Sequence, residues 1–212
     1  MQEPAALARS GAGVAGVILA GGRALRMGGG DKALRVVAGR RLIDHVIDRL
    51  APQVDALALS ANGDPARFAD LGLPVLADDI AGHPGPLAGV LAGLDWAAGQ
   101  GAGAIVTAAA DTPFFPRDLA ARLAAAAGPS GLAIAATRDA GCGRALHPTF
   151  GLWPVALRGD LRAALAAGTR KVTTWATAQG AGVAEFAAEP RNPFFNVNTP
   201  EDAAAADAMG AP

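Results

Sequence analysis

The run Val14-Ala15-Gly16-Val17-Ile18-Leu19 carries no polar side chain and empties into Ala20-Gly21-Gly22-Arg23-Ala24-Leu25-Arg26-Met27-Gly28-Gly29-Gly30-Asp31-Lys32. A short, wholly apolar run bounded by glycines predicts a strand buried on both faces. The architecture that covers both faces of a strand is a mostly parallel sheet between layers of helices. Five glycines between Gly21 and Gly30 make a poor helix or strand, because glycine loses the most backbone entropy on ordering. They instead offer backbone N–H groups that an anion can approach closely. With Arg26 and Lys32 in the same stretch, at the carboxyl end of the first strand, the pattern reads as a phosphate-binding loop. Lys32 and Lys171 are the only lysines among sixteen arginines, so Lys32 marks a place where a compact charge suits better than a planar fork.

Two familiar phosphate loops do not fit. A Walker A loop requires Gly-Lys-Ser/Thr, whereas Asp31 precedes Lys32 and Ala33 follows it. The dinucleotide fingerprint turns tightly into a helix, and this loop is longer and carries its own charges. A net charge of −1 gives no basic footprint for nucleic acid. The lone Cys142 excludes an internal disulfide framework and a cysteine-cluster zinc site. Neither a signal peptide nor an apolar run of membrane-spanning length is visible, so the cytoplasm is the expected compartment.

The remaining elements alternate between strand and helix. Met1 to Gly13 is expected to be a poorly ordered lead-in. Leu42, Ile43, Val46, Ile47 and Leu50 recur at helical spacing, with Arg41, Asp44, Asp48 and Arg49 assigned to the wet side and His45 to the helix surface. Further strands are expected at Ala56–Leu59, Val75-Leu76, Ala104–Ala109, Leu132–Ala136, His147–Trp153, Val183–Phe186 and Phe194–Val197. Helices are expected over Leu87–Ala98, Leu119–Ala127 and Val155–Ala166, and a last one opens at Thr199-Pro200 with Asp202 at its third position. No composition break or repeat divides the chain, so residues 1–212 are expected to form one α/β domain, with a mostly parallel sheet and helices on both faces.

Chemistry is expected at the carboxyl ends of the strands. Asp111 follows the third buried strand beside the phosphate loop, which suits a Mg²⁺ ligand, because magnesium takes one or two carboxylates together with substrate phosphates and water. Ser60 and Asn62 would face the same way if their strand persists; Asn62-Gly63 reads equally as a turn. His147 stands either at the mouth of the site or as a hydrogen-bonded structural residue. Gly168-Thr169-Arg170-Lys171 is either a solvated basic turn or a contact for an anionic second substrate. Asn196 and Asn198 share one face of a strand end, so both amides can address one pocket.

Five stretches in order resemble the molybdenum cofactor guanylyltransferases (the MobA family): Leu19–Lys32, Pro84–Gly89 (PGPLAG), Asp111–Pro113 (DTP), His147–Phe150 (HPTF) and Asn196–Asp202 (NVNTPED). The resemblance runs from about Val14 into the final helix. It implies a Rossmann-like nucleotidyltransferase fold and a Mg²⁺-dependent reaction of GTP with molybdopterin that yields the guanine dinucleotide cofactor and pyrophosphate. It further implies that Leu19, Ala20, Gly21 and Gly22 hold the nucleotide with Lys32, Asn62 and Asp78, and that Asp111 binds GTP and the metal. Arg26, Lys32 and Asp111 would carry catalysis, and Asn196 and Asn198 the pterin. A family asparagine falls on Ser60 here, so its interaction is either missing, made by the hydroxyl, or taken over by Asn62. A molybdenum-insertion protein and molybdoenzyme chaperones are the implied partners. The alternatives are a CTP-dependent cytidylyltransferase, a sugar-phosphate nucleotidyltransferase and a non-catalytic cofactor-delivery protein. The doubled Gly21-Gly22 and the PGPLAG stretch resemble the guanylyl branch.

Overall fold

A computed structural model describes residues 13–21, 31–78, 80, 85–139 and 143–209. In chain order these form β1 (Val14–Leu19), a 3-10 turn at Lys32–Leu34, β2 (Val36–Val37), β3 (Arg40–Arg41), α1 (Leu42–Leu50), β4 (Ala56–Ser60), a 3-10 segment at Pro65–Leu71, β5 (Val75–Leu76) and α2 (Pro86–Gly99). There follow β6 (Ala104–Ala109), α3 (Leu119–Ala125), β7 (Ala133–Asp139), β8 (Gly143–Pro154), α4 (Arg158–Ala166), α5 (Val172–Ala178), β9 (Gly182–Ala187) and α6 (Pro200–Met209). The main sheet has the order β5-β4-β1-β6-β8-β7-β9, and β2 with β3 forms a separate hairpin. All neighbours are parallel except those of β8, which runs against both β6 and β7.

The apolar run of β1 is explained by its place in the middle. Ala15 and Val17 point to a core built with Leu87, Val90, Leu91 and Leu94 of α2, Leu161 of α4 and Trp175 of α5. Ile18 points to the opposite core, with Ile43, Val46 and Leu50 of α1 and Leu119 and Leu123 of α3. Neither face meets water, so no polar alternation is tolerated. Helix α2 lies close on this sheet because Gly93 has no side chain. A Cβ there would stand 2.7 Å from Val17 Cγ2 and 3.0 Å from Ile105 Cδ1.

Chain direction creates the crevice. From β1 the sheet grows through β4 to β5, and α2 then carries the chain back to β6 on the other flank of β1. The carboxyl ends of β1, β4 and β6 therefore open where the winding reverses, the position at which open α/β sheets bind ligands.

Several local expectations are corrected. His45 and Arg49 are buried rather than wet: His45 Nε2 is 2.9 Å from Val37 O, and Arg49 donates to Phe115 O at 2.9 Å. The hairpin and the Phe114-Phe115 loop cover that side of α1, and burial lowers the Arg49 pKa from its ordinary value. Phe194–Val197 is not a strand. It is held by the burial of Phe194 and Val197 and by the backbone bond from Val197 N to Asp111 O at 2.8 Å. The first turn of α3 is held from another element, since Gln53 Oε1 accepts from Ala120 N at 2.9 Å. Val155–Leu157 is a 3-10 turn ahead of α4. At the last helix the expected box is present: Asp202 N donates to Thr199 Oγ1 (3.1 Å), and Asp202 Oδ2 accepts from Thr199 N and Asn198 N (2.9 Å each). These bonds, the Asn198 N–H foremost, lower the Asp202 pKa from its usual value.

Strand β8 slips register midway. Its pairing with β7 jumps from Ile134–Gly151 to Ala135–His147, leaving Pro148, Thr149 and Phe150 as an irregularity. Proline has no N–H for the ladder, which places the break there. Phe150 turns into the core, and Thr149 reaches the crevice.

Candidate active site

A cleft of about 350 Å³ occupies the crevice, a volume in the range of small-ligand sites. Leu19 and Gly21 at the end of β1, Ser60 and Asn62 at the end of β4, and Ala109 and Asp111 at the end of β6 form its floor, with Asp78, Thr149 and Asn196 on its walls. Gly85, Pro86 and Gly89 bring the start of α2 to its edge. The rim is fixed by backbone bonds that prolong the sheet: Ala20 N to Ser60 O (2.8 Å), Ala110 N to Leu19 O (3.0 Å) and Ala61 N to Leu76 O (3.0 Å).

On one side the cleft carries a compact polar cluster. Lys32 Nζ lies 2.6 Å from Asp111 Oδ2, with side chains 11% and 24% exposed, and also donates to Asn198 Oδ1. Thr112 Oγ1 sits 3.0 Å from Asp111 Oδ1 and against the Asn196 side-chain amide. Asn198 thus meets the lysine–carboxylate pair directly and Asn196 through Thr112, without strand geometry, because buried Val197 between them anchors the segment to Asp111 O. On the other side, Asn62 and Asp78 clasp one another. Asn62 Nδ2 donates to Asp78 Oδ2 at 2.7 Å, and Asn62 Oδ1 accepts from Asp78 N at 3.0 Å.

Both readings of Asn62-Gly63 hold: Gly63 turns at φ +88°, and Asn62 still lines the cleft. Ser60 lines it too, buried under α2, where a Cβ on Gly89 would stand 2.6 Å from its Oγ. Ala20 is buried behind the rim. Gly22 and Arg26 lie outside the described residues, as do Cys142 and Met1 to Ala12 of the expected lead-in. His147 is structural: its Nε2 is 2.9 Å from Thr137 Oγ1, its ring stacks on Phe194 with centroids 4.4 Å apart, and burial lowers its pKa. The Arg170 guanidinium is turned onto the carbonyls of Leu165 and Thr169, at 2.9 Å each. Thr149 and the Gly85-Pro86 edge join the site from the HPTF and PGPLAG stretches, although neither carries an ionisable group of its own. Pro148 is a further pointer to Thr149, because a proline marks where β8 must break.

A doubly wound sheet with a lysine–carboxylate pair at the mouth of its central strands fits the nucleotidyltransferase class. Residues 16–181 match the family model described as the MobA-like NTP transferase domain. A molybdenum cofactor guanylyltransferase of Bradyrhizobium sp. (strain ORS 278) is 54% identical over 203 residues, covering 93% of each chain. Among solved structures, molybdopterin-guanine dinucleotide biosynthesis protein A from Archaeoglobus fulgidus superposes with a TM-score of 0.67 at 21% identity, covering 92% of this chain and 97% of that one. A 4-diphosphocytidyl-2C-methyl-D-erythritol synthase from Anaerococcus prevotii gives 0.72 at 14% identity, covering 94% and 96%, and shares the fold. The chain belongs to the molybdenum cofactor guanylyltransferase family. Among the described residues no helix is long and apolar enough to cross a membrane.

Proposed function

We propose that the chain transfers GMP from GTP to molybdopterin, releasing pyrophosphate, with Mg²⁺ as the metal. An oxygen of the pterin's terminal phosphate bonds to the α-phosphorus of GTP as the bond from that phosphorus to the bridging oxygen of the leaving pyrophosphate breaks. The attacking phosphate is already ionised near neutral pH, so the site needs no general base. What it must do is hold two polyanions together and offset their charge.

The observation that carries this reading is the Lys32–Asp111 pair with Asn198 on the same ammonium. The triphosphate takes over Lys32 from Asp111, which leaves the Asp111 carboxylate for the metal. The donor set on that side suits the ion: Asp111 supplies a hard carboxylate to the cleft, and the Asn196 amide beside it a further hard oxygen. Magnesium completes such a set with substrate phosphates and water, and when bound it supplies charge neutralisation on the phosphates.

Leu19, Ala20, Gly21 and Gly22 receive the nucleotide along the backbone, and Asp78, clasped by Asn62, lies toward the base. Arg26 and Lys32 meet the phosphates, while Asn196 and Asn198 serve the pterin. The reading takes residues 1–212 as one nucleotidyltransferase domain working in the cytoplasm, with a molybdenum-insertion protein and molybdoenzyme chaperones as its partners. Its test is pyrophosphate release from GTP on addition of molybdopterin and Mg²⁺, with the organic product identified by mass. Stoichiometric guanine dinucleotide is expected. GTP binding without any transfer would overturn it in favour of a delivery protein.

A further inference from the structure

We infer that Arg67 is a positioning residue that ties the two ends of the nucleotide cleft together and sets the span between them; this rests on the nucleotide reading above. Arg67 lies on the 3-10 segment Pro65–Leu71, whose start is fixed by Asp64 Oδ1 accepting from Ala66 N at 2.9 Å. Its guanidinium faces two loops at once. Arg67 Nε is 2.7 Å from Asp31 Oδ2, in a pair whose carboxylate is only 12% exposed. Arg67 Nη2 donates to Asn62 O at 2.5 Å. The turn after Asn62 wraps under the same group, since a Cβ on Gly63 would stand 2.8 Å from Arg67 Nη1.

Each arm ends at the cleft. Through Asn62, the tie reaches the Asp78 backbone N–H and carboxylate, both held by the Asn62 amide. Through Asp31, it reaches the 3-10 turn at Lys32–Leu34: Asp31 Oδ1 accepts from Ala33 N (3.2 Å), Asp31 O accepts from Leu34 N (3.2 Å), and Lys32 extends from there to Asp111. A guanidinium suits this task because one planar group spreads its charge against Asp31 while its Nη2 donates to Asn62 O, a reach that the point charge of an ammonium does not reproduce. A ligand that engages both ends gains from a preset span in the way a bivalent ligand gains from a matched linker. A fragment that uses one end gains nothing from it.

The experiment compares titration calorimetry of GTP, guanosine and inorganic pyrophosphate, each with Mg²⁺, on the wild type, Arg67→Met, Arg67→Lys, Asp31→Asn and the double variant Arg67→Met/Asp31→Asn. In Arg67→Met the GTP Kd should rise about tenfold while the guanosine and pyrophosphate Kd values move less than about twofold, a coupling of ordinary size. Turnover at saturating GTP should fall far less than kcat/KM, and Arg67→Lys should recover little. Asp31→Asn removes the other end of the same tie, so the double variant should be no worse than either single one. An unchanged GTP Kd in a folded Arg67→Met, equal shifts for the fragments, or additive effects would each overturn the inference. If Arg67→Met does not fold, the near-isosteric Asp31→Asn decides it by the same comparison of GTP with its fragments. Should the wild type prefer CTP, the guanine reading fails, and the tie is tested with CTP, cytidine and pyrophosphate.

Discussion

Replacing Asp111 by asparagine separates charge from shape at the cleft. The amide keeps an oxygen within reach of Lys32 Nζ, now 2.6 Å from Asp111 Oδ2, and removes the negative charge. The pair is neither surface nor core, at 11% and 24% side-chain exposure. Breaking it should therefore fall between the near-zero value of exposed pairs and the larger cost of breaking buried ones, at about 1–2 kcal/mol. For a chain of this size that corresponds to a fall in Tm of about 2–8 °C, so the fold survives. The effect on the reaction should be much larger. Removing one preorganised electrostatic group commonly costs about 10²–10³ in turnover, and Asp111 is proposed to hold the metal as well. GTP binding without Mg²⁺ should be unchanged or tighter, because Lys32 has shed a competitor for the triphosphate. Pyrophosphate release at limiting Mg²⁺, together with metal-free GTP calorimetry, checks both halves. Near-normal turnover at limiting Mg²⁺ would refute the reasoning and move the metal toward Asp78 or Asp79.

Asn198→Asp places a second carboxylate on Lys32, and KM for molybdopterin should rise well beyond the GTP Kd; equal losses would count against a pterin-side role. Gly89→Ala drives a Cβ to 2.6 Å from Ser60 Oγ and 3.0 Å from Leu19 Cδ2. Overpacking of this kind costs about 1–3 kcal/mol, read by chemical denaturation, and GTP affinity should fall with it because both neighbours line the cleft. His147 has a folded pKa below its unfolded value because it is buried, so the unfolded chain binds the extra proton first. Its contribution is complete above about pH 6.5 and is lost as pH falls through and below that value, so His147→Phe should flatten the denaturation midpoint between about pH 7 and 5.

The central strand was legible because burial on both faces leaves an unbroken apolar run, and β6 begins and ends at the expected residues. The site was legible one residue at a time. Lys32 and Asp111 each announced their chemistry, but their pairing across 79 positions depends on where β1 and β6 lie in the sheet. His45 and Arg49 were misplaced because a helical period assumes one wet face, and the hairpin with the Phe114-Phe115 loop supplies a second covered one. Phe194–Val197 has the composition of a strand, yet its order comes from side chains: Phe194 stacks on His147 and packs edge-on against Phe150 and Phe186. Arg67 gave no local signal, since both of its partners lie on other loops.

The most direct test of the central claim is the kcat/KM for GTP and for CTP, measured side by side with molybdopterin and Mg²⁺ and with the dinucleotide product identified by mass. A strong preference for GTP with the guanine dinucleotide as product is expected; equal or greater efficiency with CTP, or a cytosine dinucleotide as the main product, would contradict the account.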